Sequence, residues 1–164
     1  MKKLISIVTP CYNEGENVEE LVRRIRFVMN EFIQYDYEHL LIDNASEDDT
    51  VEKIKRLASE DQHIRLIVNC RNFGHIRSPV HAVFQAQGDA VVTMASDLQD
   101  PPEMIKAFLN HWEAGFKVVI GAKPQSRETP LMFLLRRGYY HLLGRMSDAP
   151  LIENFTGFGL YDRE

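Results

Sequence analysis

Apolar residues follow two different spacings along the chain, and the two alternate. Short apolar or β-branched runs predict buried strands at residues 4–9, 37–42, 64–68, 91–94 and 117–121. Between these runs, helical spacing of apolar residues predicts helices at about 18–32, 48–59, 78–87 and 104–114. This alternation predicts an α/β fold with a Rossmann-like, mostly parallel sheet flanked by helices, in the strand order 3-2-1-4.

Two helix ends carry specific signals. Ser78 followed by Pro79 is typical of an N-cap and a first helical position, so the third helix is expected to begin there. Gly115 follows the fourth helical pattern and is expected to end that helix.

Polar side chains stand where the predicted strands end. They are Thr9, Tyr12 and Glu14 after the first strand, Asp43 after the second, Arg71 and Asn72 after the third, and Asp97 and Gln99 after the fourth. In open α/β sheets ligands bind at this edge, because the strand ends and the following loops form a crevice. A nucleotide diphosphate needs such a set, with an aromatic group and a carboxylate for the base and ribose and a cation for the phosphates.

Asp97 and Gln99 are the candidate metal ligands. Oxygen ligands one residue apart on an extended segment can share a hard cation, and Mg²⁺ or Mn²⁺ takes few protein oxygens together with phosphate oxygens and water. The alternative is an acidic turn between a strand and a helix that holds no metal.

Composition narrows the class of protein. With 164 residues, of which 45% are hydrophobic, the chain suits one well-packed domain. Its net charge of -5 argues against nucleic acid, whose binding depends on clustered Lys and Arg. The sequence lacks the phosphate loop of ATPases, the glycine fingerprint of NAD-binding proteins, the nucleophile elbow of serine hydrolases and histidines at metal-ligand spacing.

The cysteines and the N-terminal residues bear on the compartment. Cys11 and Cys70 lie in strand-like contexts, which predicts buried thiols in a reducing, cytosolic compartment rather than disulfides. The apolar run after Lys3 is broken by Pro10 and is too short for a signal sequence or a membrane span. We therefore expect a soluble chain.

Five motifs at or near the predicted strand ends resemble a known family. They are PCYNE at 10–14, DNAS at 43–46, RNFG at 71–74, DLQDPPE at 97–103 and NFTGFGLYDR at 154–163. In this order they resemble family 2 glycosyltransferases of the GT-A fold, and among these the polyprenyl-phosphate sugar transferases. The match runs over nearly the whole chain.

The resemblance implies an inverting transfer of a sugar from a nucleotide sugar, UDP- or GDP-linked, to a membrane-embedded lipid phosphate. It implies Mg²⁺ or Mn²⁺ on the diphosphate, held by Asp97 and Gln99. The residues expected to bind the nucleotide sugar are Thr9, Tyr12, Glu14, Asp43, Arg71, Asn72 and Ser96. The alternatives are that Asp43 only caps the next helix and that Arg71 only forms a surface salt bridge.

The chain departs from the pattern of this family at three places. Many relatives carry another Asp two residues before the metal-binding one, where this chain has Ala95. Relatives also often have an Asp and an Arg at the positions of Gly157 and Gly159; Glu153 is the nearest carboxylate and, with Asp97, the candidate catalytic residue. Relatives usually continue beyond the position of Glu164, so we expect one domain, 1–164, that is truncated at its C-terminus.

Two other functions stay open. A sugar hydroxyl acceptor, as in polysaccharide or cell-surface glycan assembly, must lose a proton and needs a general base. A lipid phosphate is already largely anionic at neutral pH, so the glycine at position 157 favours that acceptor. The third function is a non-catalytic nucleotide-sugar-binding remnant, which Ala95 and Gly157 also fit.

Residues 129–146 predict an amphipathic basic helix. They combine a wide apolar surface with Arg136, Arg137 and Arg145, which suits an acceptor-side surface at a bilayer interface. The full-length protein is then expected at the cytoplasmic face of the membrane. The alternative is an ordinary helix packed on the sheet with its arginines in solvent.

Overall fold

The computed structural model describes residues 2–122 and 155–164. Strands and helices alternate through the first of these ranges: β1 (Lys3–Cys11), α1 (Val18–Met29), β2 (Tyr35–Asp43), α2 (Thr50–Glu60), β3 (Ile64–Val68), α3 (Gly74–Gln85), β4 (Ala90–Thr93), a 3-10 turn (Pro102–Met104), α4 (Ile105–Glu113) and β5 (Val118–Ala122). β6 (Phe155–Asp162) follows in the second range. The chain divides into two compact units, residues 1–120 with 157–164 and residues 121–156, and the first carries the features described below.

The strands form one sheet in the order β3-β2-β1-β4-β6-β5. β1 lies parallel to β2 and β4, and β2 lies parallel to β3, so the predicted order 3-2-1-4 is confirmed. β6 runs antiparallel to β4, with Val92 opposite Leu160. The apolar pattern did not predict this strand, because Gly157 and Gly159 interrupt it and glycine is depleted in strands.

The side chains of β1 alternate between two cores. Ile5 and Ile7 pack in the cluster that contains α1 and α4, whereas Val8 packs with residues of α3 on the other face. Burying each such side chain contributes about 1.5–3 kcal/mol. Because both faces of β1 are buried, its register is fixed and its carboxyl end is held in place.

The third helix begins earlier than predicted. It starts at Gly74, whose N–H donates to Asn72 Oδ1 at 2.8 Å, and Pro79 lies inside the helix. Ser78 is buried and its Oγ accepts a hydrogen bond from Asn69 Nδ2 at 2.9 Å, so the expected Ser78 N-cap is wrong. The side chain of Ser78 instead satisfies a loop amide.

Gly115 follows α4 with a φ of 97°, which confirms the predicted glycine at that helix end. None of the helices in the described residues is both long and apolar enough to cross a bilayer.

Candidate active site

The loops that follow the parallel strands surround a cleft of about 420 Å³ at the carboxyl edge of the sheet. Four of the residues predicted from the sequence line it: Tyr12, Glu14, Asn72 and Ser96. Residues that the sequence reasoning did not select line it too, among them Asn44 and His75. The parallel sheet thus brings distant polar residues together at the edge where ligands bind in such folds.

The loop after β1 is tied to the loop after β2. Asn13 has a left-handed φ of 56°, its N–H donates to Ser46 Oγ at 2.9 Å, and its Oδ1 accepts the Glu47 N–H at 2.8 Å. The Glu14 N–H donates to Thr50 Oγ1 at 2.8 Å, and Glu14 Oε2 accepts a hydrogen bond from Asn17. These bonds leave the Tyr12 ring about half exposed beside the cleft.

Asp43 lies at the end of β2, opposite Cys11 in the register, and is fully buried. Its Oδ2 accepts the Ser46 N–H at 3.0 Å, and its Oδ1 accepts a hydrogen bond from the Ser46 hydroxyl. At the start of α2 the acceptor is Asp48, whose Oδ1 accepts a hydrogen bond from the Thr50 N–H at 3.0 Å. Asp43 therefore fixes its own loop and does not cap the helix.

Asn44 connects the second loop to the third. It is 6% exposed; its Oδ1 accepts the Phe73 N–H at 2.9 Å, and its Nδ2 donates to Asn72 Oδ1 at 2.9 Å. The backbone N–H groups of Phe73 and Gly74, which can only donate, fix the orientation of both side-chain amides. Sequence reasoning passed over Asn44 because an Asn after a strand is typical of any turn.

The third loop carries Arg71 and Cys70, both of which are exposed. The Arg71 guanidinium stands 4.7 Å from the centre of the Phe73 ring. Among the described residues Arg71 forms no ion pair with a carboxylate. The prediction of two buried thiols fails for Cys70, which lies in a loop, but holds for Cys11, where burial raises the thiol pKa far above its usual range.

The fourth loop presents Asp97 and Gln99 to solvent. Asp97 Oδ1 accepts the Gln99 N–H at 3.1 Å, and Leu98 between them has a φ of 58°. The preceding Ser96 is buried and donates to the Pro10 carbonyl oxygen at 3.0 Å. Two exposed side chains with oxygen atoms, one residue apart, are of the type that binds a hard cation together with phosphate and water.

No group of three or more His, Cys, Asp or Glu side chains that could hold a metal occurs in residues 2–122 and 155–164.

Thr9 lies below the cleft and does not line it. Its side chain is fully buried, and its Oγ1 lies 3.0 Å from His39 Nε2. Burial lowers the pKa of His39 to about 3, so the ring is neutral at physiological pH. Glu153 and the predicted 129–146 helix lie outside the described residues.

Backbone strain is concentrated at this edge of the sheet. Among the described residues, the non-glycine residues with positive φ are Asn13, Ala45 and Leu98, one in each of the loops after β1, β2 and β4. Such conformations cost on the order of 1 kcal/mol each and persist where surrounding bonds determine the backbone. They mark the three loops as a candidate functional surface.

A mostly parallel sheet with a cleft at its carboxyl edge places the protein in the class of α/β folds that bind their ligands at that edge. The chain belongs to glycosyl transferase family 2, whose family model matches residues 6–164. The expected membership of the family 2 glycosyltransferases is confirmed.

The relatives that this chain matches are much longer proteins. Over 161 residues the chain is 30% identical to an uncharacterized glycosyltransferase of Synechocystis sp., sll0501, and spans 98% of itself and 50% of that protein. It is 36% identical to the undecaprenyl-phosphate 4-deoxy-4-formamido-L-arabinose transferase of Salmonella choleraesuis over 79% of its own length and 39% of that protein. The chain thus spans half or less of the length of these relatives.

Solved structures show the same fold. The mannosyltransferase PcManGT from Pyrobaculum calidifontis, in complex with GDP-Man and Mn²⁺, matches with a TM-score of 0.66 at 20% identity over 99% of this chain and 45% of that one. Mannosyl-3-phosphoglycerate synthase from Rubrobacter xylanophilus matches with a TM-score of 0.70 at 20% identity over 98% and 53%. The GT-A fold is confirmed.

Proposed function

We propose that this chain carries the donor-binding part of an inverting glycosyltransferase that moves a sugar from a nucleotide diphosphate to a polyprenyl phosphate. The observation that carries the proposal is the convergence of four strand-end loops on one cleft, with Asp97 directly after the cleft-lining Ser96. Relatives named as undecaprenyl-phosphate transferases support the acceptor class. A structural neighbour in complex with GDP-Man supports the donor class.

The donor would lie across the loops in the order of the strands. The exposed Tyr12 ring offers a stacking surface for the base, and Glu14 and Asn72 offer polar groups along the cleft. Asp43 acts at the base end of the donor through the loop that it fixes with Ser46. The exposed Arg71 supplies positive charge for the diphosphate.

Asp97 and Gln99 would hold Mg²⁺ or Mn²⁺, which when bound neutralises the charge of the leaving nucleotide diphosphate. The position two residues earlier is Ala95, whose side chain has no oxygen atom to add to this pair. A cation with few protein ligands binds weakly without the diphosphate, and we expect metal and nucleotide to bind cooperatively.

The acceptor proposal rests on whether the attacking oxygen must lose a proton. A phosphate with a second pKa of about 6 is already anionic at neutral pH and attacks without a general base. Gly157 is exposed at the start of β6 and carries no side chain that could take a proton. The described residues are therefore better matched to a lipid phosphate than to a sugar hydroxyl.

Calorimetry with UDP- and GDP-sugars, with Mn²⁺ or with EDTA, tests the metal assignment. Asp97→Asn should lower nucleotide affinity about tenfold or more and abolish the effect of Mn²⁺, because it removes a carboxylate ligand. Asp36→Asn is the matched control, since Asp36 is also exposed and its Oδ1 also accepts a backbone N–H, but at the other end of the sheet. Equal affinity of wild type and Asp97→Asn, with no effect of EDTA, would overturn it.

Base recognition and turnover are tested separately. Asp43→Asn should weaken nucleotide binding severalfold, whereas a fall in thermal stability at unchanged affinity would give Asp43 a purely structural role. Transfer of labelled sugar to undecaprenyl phosphate is the expected activity. Nucleotide-sugar binding without transfer to either a lipid phosphate or a saccharide would instead favour the binding remnant.

A further inference from the structure

Helix α3 carries an apolar stripe that faces away from the sheet. Ile76, Val80 and Phe84 are 66%, 48% and 79% exposed and are spaced four residues apart, so they lie on one face. The opposite side of the helix is buried, with Ala82 in the cluster that includes Val8. At 3.6 residues per turn, Val80 lies roughly 160° around the helix from Ala82.

The segment that contains this stripe has no acidic residue. Residues 69–88 contain neither Asp nor Glu, although the whole chain contains 24 acidic residues and has a net charge of -5. Arg77 and His81 flank the stripe and are exposed, and Arg77 forms no ion pair with any of the described residues. The outer face of α3 is thus apolar and basic on an acidic molecule.

Other exposed apolar residues have a different setting. Ile33 is 78% exposed, but it stands in a turn between Glu31 and Asp36. Phe27 is 62% exposed, and the Lys106 ammonium lies 5.8 Å from the centre of its ring. Neither belongs to a stripe free of carboxylates, so exposure alone does not distinguish α3.

We propose that the outer face of α3, defined by Ile76, Arg77, Val80, His81 and Phe84, docks on an anionic lipid bilayer. A helix with an apolar stripe and flanking basic residues inserts the stripe at the interface while its cations approach the headgroups. A second copy of the chain fits less well, because a two-fold contact would set this basic segment against itself without a carboxylate to pair with it.

The position of α3 relates this surface to the cleft. The first turns of the helix supply Gly74, His75 and Ser78 to the lining of the cleft, and the stripe begins next to them at Ile76. A bilayer bound along α3 would therefore lie beside the mouth of the cleft. On the proposed function, a lipid phosphate could then reach the site while its chain stays in the membrane.

Vesicle binding tests the surface without any sugar donor or acceptor. The 164-residue chain should co-sediment at low salt with vesicles of phosphatidylglycerol and phosphatidylcholine and should not do so with phosphatidylcholine alone. In Phe84→Trp, brominated lipids should quench the added tryptophan on binding, whereas in Ile33→Trp they should not. The native Trp112 is 7% exposed and provides a constant background.

Variants measure the contribution of the stripe and of its charge. Ile76→Ser with Phe84→Ser should lower the vesicle partition coefficient about tenfold or more, and Arg77→Glu about tenfold. The matched control, Ile33→Ser with Phe116→Ser, changes two other exposed apolar residues and should stay within about twofold of wild type. All these sites are exposed, and circular dichroism should show unchanged folding.

Three results would overturn the proposal. They are no retention by anionic vesicles, retention without selective quenching in Phe84→Trp, and self-association that the double Ser variant abolishes in the absence of lipid. The second would assign membrane binding to another segment, and the third would assign the face to a second copy of the chain. None of them affects nucleotide binding, so the proposed glycosyl transfer is judged separately.

Discussion

Asn44 shows how one side chain can organise a loop to which it does not belong. Its amide holds Phe73 and Asn72, and Asn69 Nδ2 donates to its Oδ1 at 3.2 Å. The third loop carries Arg71 and Asn72, which we propose bind the donor. The placement of both residues depends on the hydrogen bonds of Asn44. A buried amide with satisfied partners is costly to remove, because its partners lose their hydrogen bonds together.

Asn44→Ala should lower the free energy of unfolding by about 2 kcal/mol, since it leaves the Phe73 N–H without its partner and removes one of the two hydrogen bonds of Asn69 Nδ2. Urea denaturation measures the loss, and hydrogen exchange should quicken at Phe73 and Gly74 more than in β1. Asn44→Asp keeps the acceptor but sets a carboxylate oxygen against Asn72 Oδ1, so it should not restore wild-type exchange.

Asn110→Ala is the control for this substitution, because Asn110 is exposed on α4. It should be neutral or slightly stabilising, as Ala is the better helix former. Unchanged exchange at Phe73 in Asn44→Ala would show that the third loop holds its position without Asn44.

Among the elements, the turn from α3 into β4 rests on a buried polar network. The Gly88 N–H donates to Ser6 Oγ at 2.7 Å, and the Ser6 hydroxyl donates to Glu38 Oε1 at 2.5 Å. Burial alone would raise the pKa of Glu38, but hydrogen bonds from Ser6, the Gln87 N–H and Arg65 hold it below its usual value. The Glu38 carboxylate on β2 therefore accepts hydrogen bonds from β1, from β3 and from the turn before β4.

Gly88→Ala should destabilise the protein by about 3 kcal/mol, because the added methyl group would crowd the backbone of β1. A Cβ at this position would lie 2.6 Å from the Ser6 nitrogen and 2.7 Å from Ser6 Oγ. Thermal and urea unfolding measure the effect.

Gly115→Ala is the comparison for Gly88→Ala. Gly115 has a φ of 97° but open space around it, so the change should cost only the conformational strain, about 1 kcal/mol. Equal stability of the two variants would contradict the prediction, because it would mean that the β1 backbone at Ser6 moves away from the added methyl group with no loss of stability.

The elements with a regular apolar period were predicted within three residues at most ends: both ends of β3 match, and α2 differs by two residues at its start and one at its end. The exceptions have local causes. The start of α3 was misplaced because the Ser78–Pro79 pair is a common start signal, while the actual start depends on an Asn72 bond that no period reveals. β6 was missed because its two glycines hide the alternation, and its partner β4 lies far away in the sequence.

For the molecule as a whole, we expect stability to decrease as the pH is lowered, and to begin doing so at pH values well above the range in which carboxylates titrate. His39 is buried and its pKa is lowered to about 3, against about 6.5 in an unfolded chain. Between these values only the unfolded state binds the proton, so this stability is complete above pH 6.5 and is lost as the pH falls. The free energy of unfolding should change by at most about 1.4 kcal/mol per pH unit through this one group.

Urea unfolding from pH 6.5 to 5 isolates this contribution, because the carboxylates with lowered pKa titrate further down. The wild type should lose up to about 2 kcal/mol over that range, and His39→Gln should flatten the dependence whatever its absolute stability. Parallel curves for the two proteins would mean that His39 takes up its proton in the folded state.

The overall site could be predicted because parallel strands bring their carboxyl ends to one edge, whatever their separation in sequence. Tyr12, Glu14, Asn72 and Ser96 meet at the cleft for that reason. What sequence could not predict is the direction of each side chain, as at Thr9, which points into the core toward His39. Neighbouring residues on a strand face opposite sides, and a shift of one residue decides between ligand and core.

The contrast between the two cysteines makes the protein ready for chemical labelling. The thiolate is the reactive form; Cys11 is buried with a raised pKa, while Cys70 is exposed in the loop that carries Arg71 and Asn72. The chain has no other cysteine. A maleimide dye would therefore attach at Cys70 without any engineered substitution, and its fluorescence would follow events at the cleft, whose lining residue Asn72 is two positions away.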